Sequence, residues 1–299
     1  MKELVVISGK GGTGKTSVLA SFAALAGNAV IADCDVDAAD LHLVLTPDIK
    51  RREEFRSGHE AVIRQKDCIR CGACLAHCRF DAVKMNGKAA GEATFSIDPF
   101  SCEGCGVCVH FCTVKAIDFP ERTCGEWFVS ETRFGPMVHA RLDIAAENSG
   151  KLVSTVRREA RRIAEERKSD WILVDGPPGI GCPVIASVTG ASLVLVVTEP
   201  TLSGKHDMKR VLSLSRHFNI PALVCVNKWD INPALADEIE QQAKLAGAGI
   251  AGRVRYDRAV TSAQIGAQTV AEYGGPAAED IRALWNIVKE QMQHAGIVV

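Results

Sequence analysis

The stretch LVVISGKGGTGKTSVLASFAAL, residues 4–25, limits the possible architectures more than any other part of the chain. An unbroken apolar run is followed by a glycine-rich turn and then by apolar residues at helical spacing, which predicts a buried strand, a loop and a helix. The turn fits G-x-x-x-x-G-K-[ST] through Gly9, Gly14, Lys15 and Thr16. Side chains this small let backbone N–H groups converge on phosphate oxygens, and the helix N-terminus adds the positive end of its dipole. Gly11, Gly12, Thr13, Gly14, Lys15, Thr16 and Ser17 are therefore candidate phosphate contacts. Lys15 is placed to reach the β- and γ-phosphates, and the Thr16 hydroxyl to ligate Mg²⁺.

Three further apolar runs end in polar residues where an open α/β sheet binds its ligand. AVIAD ends in Asp33, with Asp35 and Asp37 following; WILVD ends in Asp175 before a Pro-Gly loop; PALVCVN ends in Asn227. ASLVLVVT supplies another strand, and alternation of strands with helices predicts a doubly wound, mainly parallel α/β sheet.

The early lysine in KGGTGKT, Lys10, makes this segment resemble the deviant Walker A ATPases, a group that includes MinD, ParA, the Mrp-type cluster carriers and the nitrogenase iron protein. That resemblance implies an ATP-dependent homodimer, with Lys10 reaching nucleotide phosphate across the interface. It also implies that Lys10, Lys15 and Asp35 are catalytic, Asp35 orienting the attacking water. Asp33, Asp175 and Thr16 would hold Mg²⁺, Asn227 would contact adenine, and residues 176–179 would sense the γ-phosphate. Asp37 and Asp40 suit loop or helix-cap roles. Asn227, Lys228 and Asp230 also spell the guanine-reading N-K-x-D, so ATP is favoured over GTP on the Lys10 signature alone. Arg253 and Arg255 are weaker candidates for the base side.

Between the second strand and the Asp175 strand lie two matching runs, CIRCGACLAHCRFDAV from residue 68 and CEGCGVCVHFCTVKAI from residue 102. Each reads C-x2-C-x2-C-x3-C. Zinc sites more often use two separated C-x2-C pairs, whereas three close thiolates and a fourth thrown across to a neighbour suit iron–sulfur cubanes. The arrangement resembles the bacterial two-cluster ferredoxin. The resemblance implies two [4Fe–4S] clusters, one on Cys68, Cys71, Cys74 and Cys112 and the other on Cys102, Cys105, Cys108 and Cys78. Arg79 and Thr113 stand where ferredoxins usually have Pro. Cys34 and Cys225 read as core residues; Cys182, after the Asp175 loop, parallels a ligand of the nitrogenase iron protein.

The domains expected are residues 1–57 and 120–299 as a split P-loop ATPase, with 58–119 as an inserted small α+β ferredoxin-like domain. Lys plus Arg number 35 against 36 for Asp plus Glu, so a broad basic field for nucleic acid is not expected. The absence of a signal-like start and of a long apolar run predicts a cytoplasmic protein without a membrane span. A helix is expected over 151–167, the arginines of RREARR lying on a solvated face. The C-terminal Ile281, Leu284, Trp285, Val288 and Met292 predict an amphipathic helix against the sheet. His139 is read as an ordinary histidine.

The leading expectation is a Mg²⁺-dependent ATPase whose nucleotide state gates electron transfer through the two clusters to a redox partner. The alternatives are an ATP-dependent factor for assembly or carriage of metal clusters, and a MinD/ParA-like positioning ATPase with the clusters as props or sensors.

Overall fold

The computed structural model describes residues 1–87, 93–143 and 149–294. The chain divides into two compact units: Met1–Glu53, Glu126–Leu142 and residues 149–294 form the first, and Glu54–Gly125 with Asp143 the second.

In chain order the first elements are β1 (Lys2–Ser8), α1 (Lys15–Ala26), β2 (Ala29–Asp33), α2 (Leu41–Leu45) and β3 (Asp48–His59). Next come β4 (Val62–Ile63), α3 (Ala73–His77), β5 (Val83–Asn86), β6 (Thr94–Ile97), α4 (Val107–His110), β7 (Ile117–Asp118), β8 (Glu121–Thr132) and β9 (Gly135–Leu142). After these the chain runs through α5 (Ser149–Arg167), β10 (Trp171–Pro178), α6 (Cys182–Val188), β11 (Leu193–Thr198), α7 (Leu202–His217) and β12 (Ala222–Asn227). It ends with α8 (Pro233–Leu245), β13 (Gly249–Val254), α9 (Arg258–Ile265), α10 (Val270–Tyr273) and α11 (Pro276–His294).

Among the described residues, nine strands form one sheet in the order β13-β12-β11-β1-β10-β2-β9-β8-β3. The pairs from β13 through to β9 are parallel, with Val5 opposite Val174 on one side and Val194 on the other. Parallel strands covered on both faces need continuous apolar runs, and Leu4, Val5, Val6 and Ile7 are all fully buried. Helices α1 and α11 lie on one face, while α5, α6, α7 and α8 lie on the other. The connections reverse direction at β1, whose two neighbours in the sheet are β10 and β11; a crevice at the carboxyl ends of the strands is the consequence.

The core between α1, α11 and the sheet is built on Leu4, Phe22, Leu173, Leu195 and Trp285. Ile281, Leu284, Trp285, Val288 and Met292 are buried, and the Trp285 ring sits 4.8 Å from Phe22 and 4.9 Å from Trp171. That face of α11 is spent on the sheet.

The arginine-rich helix α5 differs from expectation. Arg157 is buried and ion-paired with Glu3, itself buried at the start of β1. Its guanidinium also donates to the carbonyls of Ala186 at 2.7 Å and Thr189 at 2.8 Å, at the C-terminal end of α6. A buried carboxylate must be compensated, and Arg reaches it while satisfying orphan carbonyls at a helix end. Arg162 keeps the expected surface role through Glu159 and Glu166.

The second unit has two short antiparallel pairs, β4 with β7 and β5 with β6. Its two halves repeat each other in backbone as well as sequence. Left-handed residues occur at Arg70, Gly72 and Asp81 and again, 34 positions on, at Gly104, Gly106 and Lys115. Gly72 and Gly106 open α3 and α4 at φ 76° and 73°, where a side chain would be strained.

Candidate functional site

The phosphate loop crosses from β1 to α1 with Gly12 and Gly14 in the left-handed region, at φ 78° and 87°. Gly14 is doubly required: a Cβ there would lie 2.3 Å from Asn227 Nδ2. Asn227, delivered by the end of β12, donates from that amide to the Thr13 carbonyl at 2.7 Å and so braces the loop.

Lys15 reaches back into a cluster of carboxylates. Its Nζ donates to Asp175 Oδ1 at 2.7 Å and to Asp35 Oδ2 at 3.3 Å, while Thr16 Oγ1 donates to Asp175 Oδ2 at 2.8 Å. Asp33 Oδ1 accepts from the Asp35 backbone N–H at 3.2 Å; its Oδ2, like Thr13 Oγ1, is buried without a partner among the described residues. Burial pulls the Lys15 ammonium down, but Asp175 and Asp35 outweigh it and hold the group above its ordinary value. Burial and the neighbouring Asp175 push Asp33 well up. Asp35 is also raised, burial exceeding the pull of Lys15. One lysine among three acids leaves the cluster short of positive charge, which is the environment that draws in a divalent cation.

These groups open onto a cavity of about 630 Å³, lined by residues 11–17 and Asp35 and also by Asn227, Tyr256, Val260 and Gln264. Gln264 Nε2 donates to Ser17 Oγ at 2.9 Å. The volume suits a nucleotide-sized ligand. Asp230, the carboxylate a guanine reader would need, accepts from the Tyr256 backbone N–H at 2.7 Å. Arg253 is engaged by Asp237 and Glu240, Arg255 by Asp280; Arg255 also lines the cavity.

Lys10 is partly exposed. Its Nζ lies 3.4 Å from Glu199 Oε2, and the other oxygen of Glu199 binds Lys228 Nζ at 2.5 Å. Glu199 was not legible as a site residue, although it follows a buried strand as Asp35 does.

His139 lies apart from the cavity lining, buried with Nε2 2.8 Å from Ser130 Oγ and stacked on Phe128. Cys34 and Cys225 are buried, and burial pushes the Cys225 thiol to about 12, which keeps it a protonated core residue. Cys182 is exposed at the start of α6.

In the second unit eight of the nine cysteines fall into two small cavities, the ninth, Cys124, being buried with its thiol donating to the Ser57 carbonyl. One is lined by Cys68, Cys71, Cys74 and Cys112, the other by Cys78, Cys102, Cys105 and Cys108. Among the described residues no group of three or more His, Cys, Asp or Glu side chains is gathered as a metal-ion site. Backbone donors nevertheless point at the sulfurs: Ala116 N–H donates to Cys112 Sγ at 3.2 Å. Burial raises the Cys78 thiol, but the N–H groups of Phe80, Val83 and Ala82 outweigh it and bring it below its ordinary value.

A family model described as the CobQ/CobB/MinD/ParA nucleotide binding domain matches residues 4–270. The chain belongs to that family. An uncharacterized protein of Methanocaldococcus jannaschii, MJ0578, is 38% identical over 234 residues, covering 77% of this chain and 79% of its own. Among solved structures, the cell division ATPase MinD of Pyrococcus furiosus superposes with a TM-score of 0.58 at 17% identity, over 97% of this chain and 99% of that one. The septum site-determining protein MinD of Pyrococcus horikoshii, complexed with Mg-ADP, gives 0.59 at 16% identity, over 99% of both chains. These likenesses establish a MinD-like P-loop ATPase fold with a mostly parallel sheet.

Membership of the CobQ/CobB/MinD/ParA family overturns the leading expectation. Nucleotide-gated electron transfer, a redox partner and an iron–sulfur, ferredoxin-type function do not fit a family model and structural neighbours that are nucleotide-binding and septum-siting ATPases. The cysteine runs are confined to the smaller unit, whereas the nucleotide-binding family model matches residues 4–270. Among the described residues no helix is long and apolar enough to cross a membrane.

Proposed function

We propose that the chain is a MinD/ParA-like positioning ATPase that binds and hydrolyses MgATP and dimerises with it. The observation that carries this reading is Lys15, buried between Asp175 and Asp35 at the mouth of a nucleotide-sized cavity. On triphosphate binding Lys15 turns from the carboxylates to the β- and γ-phosphates, and residues 11–17 donate their backbone N–H groups to phosphate oxygens. The freed carboxylates of Asp175 and Asp33, with Thr16, would hold Mg²⁺, which would supply charge neutralisation on the phosphates. Asp35, at the edge of the same cluster, orients the attacking water, and Lys10 reaches the phosphates of the facing subunit. Asn227 borders the base while bracing the loop, and adenine is the base read, since Asp230, the carboxylate a guanine reader would need, is not among the residues that line the cavity. The MinD of P. horikoshii with Mg-ADP supports the ligand assignment by analogy of fold. Steady-state phosphate release and light scattering with MgATP or MgADP test the reading: hydrolysis and an ATP-specific dimer are expected. A chain that neither hydrolyses ATP nor changes mass with it would refute the proposal.

Residues 54–125 are read, within that function, as an inserted ferredoxin-like module, close to the 58–119 expected from the sequence. Each cavity is lined by four thiols, joined in one of them by Glu103; backbone N–H groups aimed at sulfur support thiolates, and a single ion would need all four sulfurs within about 2.3 Å of one point, a gathering not found among the described residues. The residues therefore fit a polynuclear [4Fe–4S] cluster in each cavity better than a lone zinc ion. Cys68, Cys71, Cys74 and Cys112 would hold one, and Cys102, Cys105, Cys108 and Cys78 the other, serving to hold the small module together rather than to relay electrons. Anaerobic iron, sulfide and zinc analysis decides this: close to eight irons per chain supports it, and stoichiometric zinc or no metal removes it.

A further inference from the structure

Glu199 holds two lysines from different parts of the nucleotide site. It follows β11, in a turn where its own carbonyl accepts from Thr201 N–H at 2.7 Å. The turn is fixed by close packing: a Cβ on Gly204 would fall 2.4 Å from the Glu199 carbonyl oxygen. The carboxylate is largely buried, with 15% of the side chain exposed. One oxygen takes Lys228 Nζ at 2.5 Å and the other takes Lys10 Nζ at 3.4 Å. Lys228 itself reaches the Gly12 carbonyl of the phosphate loop at 3.4 Å, and its backbone N–H donates to Asn227 Oδ1 at 3.0 Å.

We propose that Glu199 and Lys228 are positioning residues for Lys10: Glu199 parks Lys10 in its own subunit, and Lys228 is the counter-ion that allows Glu199 to release it. This deepens the reading of an ATP-dependent dimer and rests on it. The geometry decides which lysine leaves. The Lys228 contact is the shorter, and Lys228 is also tied to the loop at Gly12. Among the described residues Lys10 Nζ has the longer contact with Glu199 and two marginal ones, to Thr201 Oγ1 at 3.5 Å and Ser203 Oγ at 3.4 Å, which water can replace. A largely buried carboxylate stripped of its only cation is strongly disfavoured, so Lys10 could not leave a Glu199 that lacked Lys228 without a large penalty. With Lys228 in place the carboxylate stays neutralised when Lys10 moves to phosphate.

The test follows the MgATP concentration at half-dimerisation of the full chain by analytical ultracentrifugation. Glu199→Gln abolishes the parking site and is expected to lower that concentration roughly two- to fivefold, the range for a partly exposed ion pair. Lys228→Met is expected to raise it by a similar factor, because Glu199 then grips Lys10 alone. In the double variant the Lys228→Met effect should vanish, which a merely structural role for Lys228 would not produce. The dimer midpoint should move further than the affinity for MgADP, which binds without requiring Lys10 to leave. Should Glu199→Gln fail to fold, the rise in Lys228→Met carries the test. Midpoints unchanged in both single variants, or additive effects in the double variant, would overturn the proposal while leaving the dimerising ATPase intact. A wild-type chain that stays monomeric in MgATP would instead overturn the underlying reading and this one with it.

Discussion

The two compact units reach an ordered interior by opposite routes. In the larger, Leu4, Phe22, Leu173, Leu195 and Trp285 form an apolar core, and the reactive side chains stand at the ends of the strands that core supports. In the smaller, the buried apolar cluster among the described residues is Ala61, Ile63, Val83, Phe95 and Ile117, and cysteines pack directly against it. A segment of that size buries too little apolar surface to be robust alone. The chemistry of the first is therefore separable from its folding, whereas in the second the candidate ligands are themselves the inner layer.

The sharpest way to break this contrast is to remove one thiol from each cavity. Cys74→Ser with Cys108→Ser should cost the smaller unit its fold altogether, seen as rapid proteolysis within residues 54–125, while nucleotide binding elsewhere survives; a protease-resistant double variant would show that apolar packing suffices. In the larger unit, Lys15→Ala should lower ATP hydrolysis by about a thousandfold, with far-UV circular dichroism unchanged, because it removes charge from the phosphates but nothing from the core. Leu173→Ala should do the reverse, lowering stability to urea by about 2–5 kcal/mol through a cavity under α1.

A smaller effect comes from His139, which burial, with a lesser contribution from His42, brings from 6.5 to about 4. The unfolded chain takes up the proton first, so stability is fully present above pH 6.5 and declines as pH falls towards 4. At about 1.4 kcal/mol per pH unit the ceiling is about 3 kcal/mol, and His139→Gln should flatten the urea midpoint over that window. The least effect is expected from Thr269→Ala. Thr269 forms a reciprocal capping box with Glu272 at the start of α10, and its loss should lower the melting free energy by about 1 kcal/mol.

Much of the larger unit was legible because its signals are local. The phosphate loop names its strand and helix, and Asp33, Asp175 and Asn227 each end or closely follow an apolar run. What escaped depends on partners distant in sequence. Arg157 belongs by pattern to a solvated helix face, and only the burial of Glu3, 154 positions away, draws it inward. Strand β3 is rich in charge and mostly exposed, as befits the last strand of a sheet, so neither alternation nor an apolar run announced it. Glu199 acquired meaning only when Lys10 and Lys228 were seen to meet on it. The activity does not follow from the cysteine motif for a related reason: that motif is dense but belongs to the smaller unit alone.

The cysteine cavities carry one more implication. The fourth thiol of each half lines the chamber of its twin, Cys78 beside Cys102 and Cys112 beside Cys68. Cutting away either half would leave the survivor with three sulfurs around a breached wall. Neither half can therefore complete a four-thiol chamber without the other.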